Sequence, residues 1–142
     1  MIDSPEFVLD SSVALGWMFR DERDPYSEAV LRSLSEGVAV VPWLWHSEIA
    51  NILSRAVKYG RITLDAASHA LDLAADLRIE TASLHEHAGF WMSRALDFRL
   101  TAHDAQYLEL ALRRQLPLAT KDDELAAAAQ AHGVLLYQPS AS

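Results

Sequence analysis

The chain has 142 residues, of which 51% are hydrophobic and 23% charged, a composition typical of a single globular domain. It contains no cysteine, which excludes disulfides, thiolate metal sites and cysteine nucleophiles. Twelve Lys and Arg against twenty Asp and Glu give a formal net charge of −8, which excludes nucleic-acid binding by a broadly basic surface. Such a chain can still bind nucleic acid where its carboxylates hold divalent cations that reverse the local field.

The sequence gives no signal for a membrane or for export. No apolar run approaches the roughly 18 residues that a membrane span needs. The acidic start at 1–6 lacks the basic segment of a secretory signal. We therefore expect one cytoplasmic domain over 1–142, with no membrane segment.

The first half of the chain alternates short apolar runs with helical patterns. The run that ends at Asp10 is typical of a parallel strand buried on both faces. Asp24 and Pro25 are typical of a helix start, and Gly37 of a helix end. Thr63 is expected to cap a later helix. The predicted strands are 7–9 and 38–41, and the predicted helices are about 11–19, 25–36, 43–59 and 64–77.

The second half continues this alternation. Ser83 with Glu86, and Thr101 with Asp104, have the spacing of a capping box, and each pair predicts the start of a helix. The predicted strands are 79–81, 117–120 and 134–137, and the predicted helices are about 83–98, 101–114 and 122–131. Strands that alternate with helices in this way predict a mostly parallel sheet with helices on both faces.

Acidic residues fall where such folds bind ligands, outside the carboxyl ends of the strands. Asp10 ends the first strand, and Asp122 and Asp123 follow the fourth. Glu48 lies at the edge of the apolar stripe of its helix, and Asp104 heads the apolar face of another helix. Carboxylates at the edge of a core are costly unless a partner accompanies them.

Each acidic residue also has a purely structural explanation. Asp10 could cap the first helix, and Asp104 could complete its capping box. Asp122 and Asp123 could favour a helix N-terminus, and Glu48 could extend into solvent. The joint pattern outweighs these separate explanations, because the fold could bring the four positions to one rim of the sheet.

A carboxylate cluster without matching basic residues is typical of a Mg²⁺ or Mn²⁺ site. At an effective dielectric of about 20, two carboxylates 4–5 Å apart repel by roughly 3–4 kcal/mol. Four of them would stay ionised at pH 7 only with a cation among them. Since such cations activate water and neutralise phosphate, the pattern favours hydrolysis of phosphodiesters.

Four segments resemble the PIN-domain ribonucleases, and most of all the VapC-type toxins of bacterial toxin–antitoxin pairs. In chain order they are FVLDSSV, SEIANIL, HDAQYLELA and LATKDDEL. The resemblance implies a three-layer α/β/α sandwich with a mostly parallel central sheet of four to five strands. It also implies an endoribonuclease that requires Mg²⁺ or Mn²⁺, cleaves structured RNA and acts as a toxin. An antitoxin partner and a homodimer are implied as well.

The resemblance assigns roles to residues of these segments. It implies that Asp10 and Asp104 are the principal metal ligands. Glu48 would bind the metal directly or through water and orient the attacking water, and Asp122 would complete the site. Asp123 is an alternative to Asp122 for completing the site, but the Thr-x-Asp spacing from Thr120 favours Asp122. Ser12 and Thr120 match small hydroxyl positions that support the acids.

Residues near the acids have open interpretations. His46 and His103 flank the two helical acids and could donate to phosphate or simply lie at the surface. The basic strip of Arg55, Lys58 and Arg61 could steer phosphate, although helix C-termini favour cations without any ligand. His85 and His87 lack a third zinc ligand and are expected to be solvated.

The four tryptophans, Trp17, Trp43, Trp45 and Trp91, are predicted to lie in the core. Any that are partly exposed would mark a partner surface. We expect an antitoxin tail to bind near the first and third helices, around Trp17 and Trp43. One of its basic side chains should reach the carboxylates.

Two other classes of function are open. A doubly wound phosphoacceptor signalling domain would need paired acids at the first strand, where Ser11 and Ser12 follow Asp10 instead. The chain could instead be a catalytically inactive PIN-fold binding module. A module that has lost catalysis has no need of the acids, and all four acids are present.

Overall fold

A four-stranded sheet forms the centre of the computed structural model, which describes residues 4–140. The strand order is β3-β2-β1-β4, and all three pairings are parallel. The register pairs Val8 with Val40 on one side and with Leu118 on the other. The strands are β1 (Glu6–Leu9), β2 (Val38–Pro42), β3 (Ile79–Ala82) and β4 (Leu118–Ala119). The first three residues of the expected acidic start, and the last two of the expected domain, lie outside the described residues.

Seven α-helices within 4–140 cover the sheet. Helices α1 to α4 pack together as one group, and α5 to α7 form a second group in which α6 lies against β1, β2 and β4. The predicted three-layer α/β/α sandwich is confirmed. None of these helices is long and apolar enough to cross a bilayer. They are α1 (Ser11–Met18), α2 (Pro25–Ser33), α3 (Trp43–Lys58), α4 (Leu64–Ala75), α5 (Ala88–Phe98), α6 (Ala102–Arg114) and α7 (Asp123–Ala131), with a 3-10 turn at Arg20–Glu22.

The core is built on the central strand. Phe7, Val8 and Leu9 are fully buried, as expected of a parallel strand covered on both faces. The Phe7 ring stacks on Tyr137 at 4.0 Å between centroids. Tyr107 of α6 is the largest side chain without exposure among the described residues, and it places a hydroxyl inside this core.

Three helices begin at the cap residues that the sequence predicts. The Asp24 carboxylate accepts from the Ser27 amide at 2.9 Å, and Pro25 follows as the first residue of α2. The Thr63 hydroxyl caps α4. The Thr101 hydroxyl caps α6 by accepting from the backbone amide of its third residue at 3.1 Å. These local hydrogen bonds explain why the starts could be read from sequence.

The predicted capping box at Ser83 is wrong. Helix α5 begins at Ala88, and His87 precedes it without a side-chain cap. The reason is tertiary, because the Glu86 carboxylate pairs with Arg113 of α6 at 2.7 Å instead of turning back to its own backbone.

Helix α2 also ends earlier than predicted, at Ser33 instead of about 36. The Gly37 amide donates to the Ser33 carbonyl at 2.9 Å. A Cβ atom on Gly37 would lie 2.6 Å from the Pro5 carbonyl oxygen. Glycine is therefore required here by the close approach of the chain that enters β1.

The predicted closing strand at 134–137 is reduced to a single parallel bridge between Leu118 and Leu136. The Leu118 amide donates to the Leu135 carbonyl at 2.9 Å, and the Tyr137 amide donates to the Leu118 carbonyl at 2.8 Å. The ladder stays short because β4 itself has only two residues.

A buried acid joins α5 to α6. Glu109 is 7% exposed and accepts from Nε of Arg94 and Nε of Arg113, each at 2.7 Å. Both guanidinium groups lie over the Phe90 ring, 4.7 and 5.4 Å from its centroid. Since Phe98 is the one buried residue of α5, this network is a main attachment of the helix.

We expect Glu109→Gln to lower the free energy of unfolding by about 2–3 kcal/mol, because one guanidinium loses its buried acceptor. Chemical denaturation measures this loss. The matched control is Glu86→Gln, which removes a more exposed partner of Arg113 and should cost less than about 1 kcal/mol. Equal losses in the two variants would contradict the role given to burial.

Candidate functional site

The candidate site lies where the strand order reverses. Strands β2 and β3 lie on one side of β1 and β4 lies on the other, and open parallel sheets bind ligands at such a switch point, outside the carboxyl ends of the strands. Asp10 directly follows β1, and Thr120 directly follows β4. The Thr120 hydroxyl donates to Oδ2 of Asp10 at 2.7 Å, which connects the two strand ends.

Asp10 is 4% exposed and is held by hydroxyl groups. Ser12 donates to the same Oδ2 atom at 2.7 Å, and Oδ1 takes part in neither bond. Burial raises the pKa of Asp10, the Ser12 and Thr120 hydroxyls oppose this shift, and the charge of Asp122 adds to it. The Asp10 carboxylate makes no cap hydrogen bond to α1, so capping does not explain its side chain.

Glu48 of α3 is half-buried and is held by two hydroxyl groups. Ser11 donates to its Oε1 at 3.3 Å, and Tyr107 donates to the same atom. Burial, followed by the adjacent Glu48, raises the pKa of Tyr107, so its hydroxyl stays protonated and donates. The carboxylate therefore does not simply extend into solvent.

Tyr107 is a residue of the candidate site that the sequence patterns above do not identify. A signal was present, because a tyrosine at a core position needs a partner for its hydroxyl. The sequence does not tell which carboxylate on another helix supplies that partner.

Asp104 lies half-buried in the first turn of α6. Its pKa is raised to about 6, first by burial and then by the negative charges of Asp10, Asp122 and Glu48. The charges of the other three predicted acids therefore act on Asp104.

The sequence leaves Asp122 two explanations, a residue at a helix N-terminus and an acid of the site, and the structure is compatible with both. Asp122 is the N-cap of α7, and its Oδ1 accepts from the Leu125 amide at 3.0 Å. Its own amide donates to the Thr120 hydroxyl at 3.0 Å, which places it beside Asp10. Asp123 is the exposed first residue of α7. The geometry thus favours Asp122 over Asp123 as the fourth acid.

The donor set of the four acids fits a hard divalent cation. Within 4–140 none of them is in an ion pair, whereas the nearby Lys121 ammonium binds Asp24 at 2.7 Å. The carboxylate oxygens of the four acids and the hydroxyl oxygens of Ser12 and Thr120 are the type of ligand that Mg²⁺ and Mn²⁺ prefer. No three Asp, Glu or His side chains of the described residues are close enough to hold one ion directly. Mg²⁺ usually keeps several of its waters, so an ion here need not contact all of these oxygens directly.

Within 4–140 the other polar candidates make no hydrogen bond or ion pair with the four acids. His46 Nε2 is 2.8 Å from the Thr81 hydroxyl, and His103 is exposed. Arg61 of the basic strip pairs with two acids of the 3-10 turn, while Arg55 is exposed. His85 and His87, in the segment before α5, are exposed as expected.

The tryptophans differ in burial. Trp45 is buried, and Trp17 and Trp91 are partly exposed. The prediction of a core position is wrong for Trp43, which is 64% exposed at the start of α3. The Trp17 indole donates to the Ser27 carbonyl at 2.8 Å, so one edge of this ring is fixed against α2.

Known proteins share this architecture and sequence. Residues 7–131 match the family model of the PIN domain. A crystal structure of a protein from Pyrobaculum aerophilum has a TM-score of 0.67 and 22% identity, and the match covers 88% of this chain and 80% of that one. A crystal structure of VapBC2 from Rickettsia felis, bound to a DNA fragment from their promoter, has a TM-score of 0.67 and 10% identity. That match covers 93% of this chain and 97% of the other.

Sequence similarity to a known protein shows which type of PIN-domain protein the chain is. Ribonuclease VapC1 of Mycobacterium tuberculosis is 35% identical over 103 residues, which are 72% of this chain and 77% of that protein. The chain therefore belongs to the PIN-domain family and, within it, to the VapC-type ribonucleases.

Proposed function

We propose that the chain is a Mg²⁺- or Mn²⁺-dependent endoribonuclease that hydrolyses phosphodiester bonds in structured RNA. It would act in the cytoplasm as the toxin of a toxin–antitoxin pair. The observation that carries the proposal is the group of four acids at the switch point of the sheet, for which the described residues supply no cation. The 35% identity to Ribonuclease VapC1 supports ribonuclease activity. This family membership favours a nuclease over a phosphoacceptor signalling domain.

Asp10 and Asp104 would be the principal metal ligands, with Glu48 and Asp122 completing the set directly or through water. When bound, the ion supplies positive charge that neutralises the phosphate and activates water. Glu48 would orient the attacking water, since the Ser11 and Tyr107 hydroxyls hold its Oε1 and neither bond uses Oε2.

In the reaction, water would attack phosphorus in line and leave 3′-hydroxyl and 5′-phosphate ends. The test incubates the purified protein with structured RNAs in Mg²⁺, in Mn²⁺ and in EDTA, and maps the chemistry of the new ends. We expect cleavage only with a divalent ion. Cleavage that survives EDTA, or 2′,3′-cyclic phosphate ends, would overturn the mechanism. An inactive protein that binds neither Mg²⁺ nor Mn²⁺ would favour a binding module.

We also propose an antitoxin partner and a homodimer. The exposed Trp43 and the partly exposed Trp17 offer apolar surface at α3 and α1 for an antitoxin tail. A basic side chain from that tail would replace the charge of the cation. Expression of the chain alone should slow growth, and co-expression with an antitoxin should restore growth and yield a stable complex. Light scattering of the purified protein tests the homodimer.

We expect Tyr107→Phe to reduce cleavage about 10-fold, because Glu48 loses the hydroxyl that orients it. The same change should lower the free energy of unfolding by about 1–2 kcal/mol. The matched control is Tyr26→Phe, which removes a hydroxyl that donates to the Tyr137 carbonyl at 2.8 Å and not to any of the four acids. This control should lose stability and keep activity. Equal activity in the two variants would contradict a role for Tyr107 in orientation.

A further inference from the structure

An ion pair connects the turn after β4 to the start of α2. The Lys121 ammonium lies 2.7 Å from Oδ2 of Asp24, and the two side chains are 29% and 28% exposed. Because both groups are partly shielded from solvent, this pair is screened less than a fully exposed surface pair.

The Asp24 end of the pair is rigidly held. Its Oδ1 accepts from the Ser27 amide at 2.9 Å, and its Oδ2 accepts from the Ser27 hydroxyl at 2.7 Å. Ser27 is fully buried. Helix α1 packs closely against both residues, since a Cβ atom on Gly16 would lie 2.6 Å from Cβ of Ser27 and 3.2 Å from Oδ2 of Asp24. Asp24 therefore gives Lys121 a fixed point of attachment.

The Lys121 end lies inside the active-site turn. Lys121 stands between Thr120, which donates to Asp10, and Asp122, which is the fourth acid. The Lys121 amide donates to the Ser12 hydroxyl at 2.9 Å, and that hydroxyl donates to Asp10 at 2.7 Å. Its backbone and side chain thus attach the turn 120–122 to α1 and to α2 respectively.

We propose that the Lys121–Asp24 pair is a positioning device, which holds the turn 120–122 so that Thr120 and Asp122 stay beside Asp10. This role rests on the proposed metal-dependent function. Lys121 acts here through Thr120 and Asp122 and does not contact the RNA. Loss of either partner should loosen the turn and weaken the binding of a divalent ion.

The test measures the affinity of the full chain for Mn²⁺ alone, by calorimetric titration without RNA. Lys121→Met keeps the length of the side chain and removes its charge. Asp24→Asn keeps a residue that caps α2 almost as well and weakens the ion pair. Each variant should raise the Kd for Mn²⁺ about 10-fold, as supporting residues around metal sites do. The double variant should have about the same Kd for Mn²⁺ as each single variant, because both substitutions remove the same contact. Lys121→Arg should restore most of the affinity.

The matched control uses a neighbouring ion pair, Arg23 with Glu28 at 2.9 Å, whose charged groups pair neither with Lys121 nor with any of the four acids. Arg23→Met and Glu28→Gln should leave the Mn²⁺ affinity unchanged, and circular dichroism should show every variant folded. The positioning role is overturned if Lys121→Met and Asp24→Asn bind Mn²⁺ like the wild type. A raised KM for RNA in Lys121→Met alone would show that Lys121 contacts RNA instead. Additive losses in the double variant would also overturn the role. A wild type that binds no Mn²⁺ would overturn the proposed function itself, and the inference with it.

Discussion

Replacing Asp10 with asparagine is expected to lower the rate of RNA cleavage by about 10³-fold or more. Asparagine has the same shape and keeps one oxygen that can accept from the Ser12 and Thr120 hydroxyls, so the local fold should survive. What is lost is the negative charge at the adjacent carboxyl ends of β1 and β4. We expect the remaining acids to bind a divalent ion too weakly to activate water without that charge.

The measurement is single-turnover cleavage of a structured RNA at saturating Mn²⁺, with circular dichroism as a check of folding. The matched control is Asp123→Asn, the same substitution at an exposed acid next to the site. This control should cleave at the rate of the wild type. An Asp10→Asn variant within about 10-fold of the wild-type rate would contradict the assignment of Asp10. An equally inactive Asp123→Asn would move the fourth acidic position from Asp122 to Asp123.

The strands and most helix starts could be predicted because they depend on local patterns. An apolar run that ends at Asp10 fixes both a buried strand and the edge at which the acid lies. Caps such as Asp24 and Thr101 use hydrogen bonds within three residues of the chain. A topology rule then places the carboxyl ends of β1 and β4 together, and no long-range side-chain contact is needed for that step.

The parts that could not be predicted depend on contacts between distant segments. The Tyr107 hydroxyl reaches Glu48 across 59 positions, and Lys121 reaches Asp24 across 97. Glu86 is the opposite case, since it pairs with a residue of α6 and does not form the capping box that its local spacing predicts. Sequence spacing gives the chemical type of these side chains but not their partners.

The raised pKa of Asp104 leads to a prediction about stability. Its outcome distinguishes a metal ligand from a residue that only caps a helix. The pKa is about 6 in the folded chain, against 3.8 for an ordinary aspartate, because burial and the other three acids disfavour its charge. The folded state therefore binds this proton more tightly than the unfolded state. Without a divalent ion, the contribution of Asp104 to stability is fully present below about pH 4 and is lost as the pH rises through about 6.

Asp104→Asn removes this penalty, so the variant should be more stable than the wild type in EDTA at pH 7.5 while it loses activity. After allowance for solvent screening of a half-exposed group, we expect a gain of about 1–2 kcal/mol. For a chain of this size, that corresponds to a rise in Tm of about 3–6 °C. The gain should shrink as the pH falls from 7.5 to 4.5, because the wild-type carboxyl then takes up its proton.

Thermal melts of both proteins in EDTA and in Mn²⁺, across that pH range, measure these effects. Mn²⁺ should raise the Tm of the wild type through binding to the folded state and leave Asp104→Asn nearly unchanged. The matched control is Asp65→Asn, an exposed acid in the first turn of α4, where loss of charge should cost about 0.3–1 kcal/mol through the helix dipole. The two substitutions thus have opposite expected signs. If Asp104→Asn destabilises the chain as Asp65→Asn does, and Mn²⁺ leaves the wild-type melt unchanged, Asp104 serves the helix and not a cation.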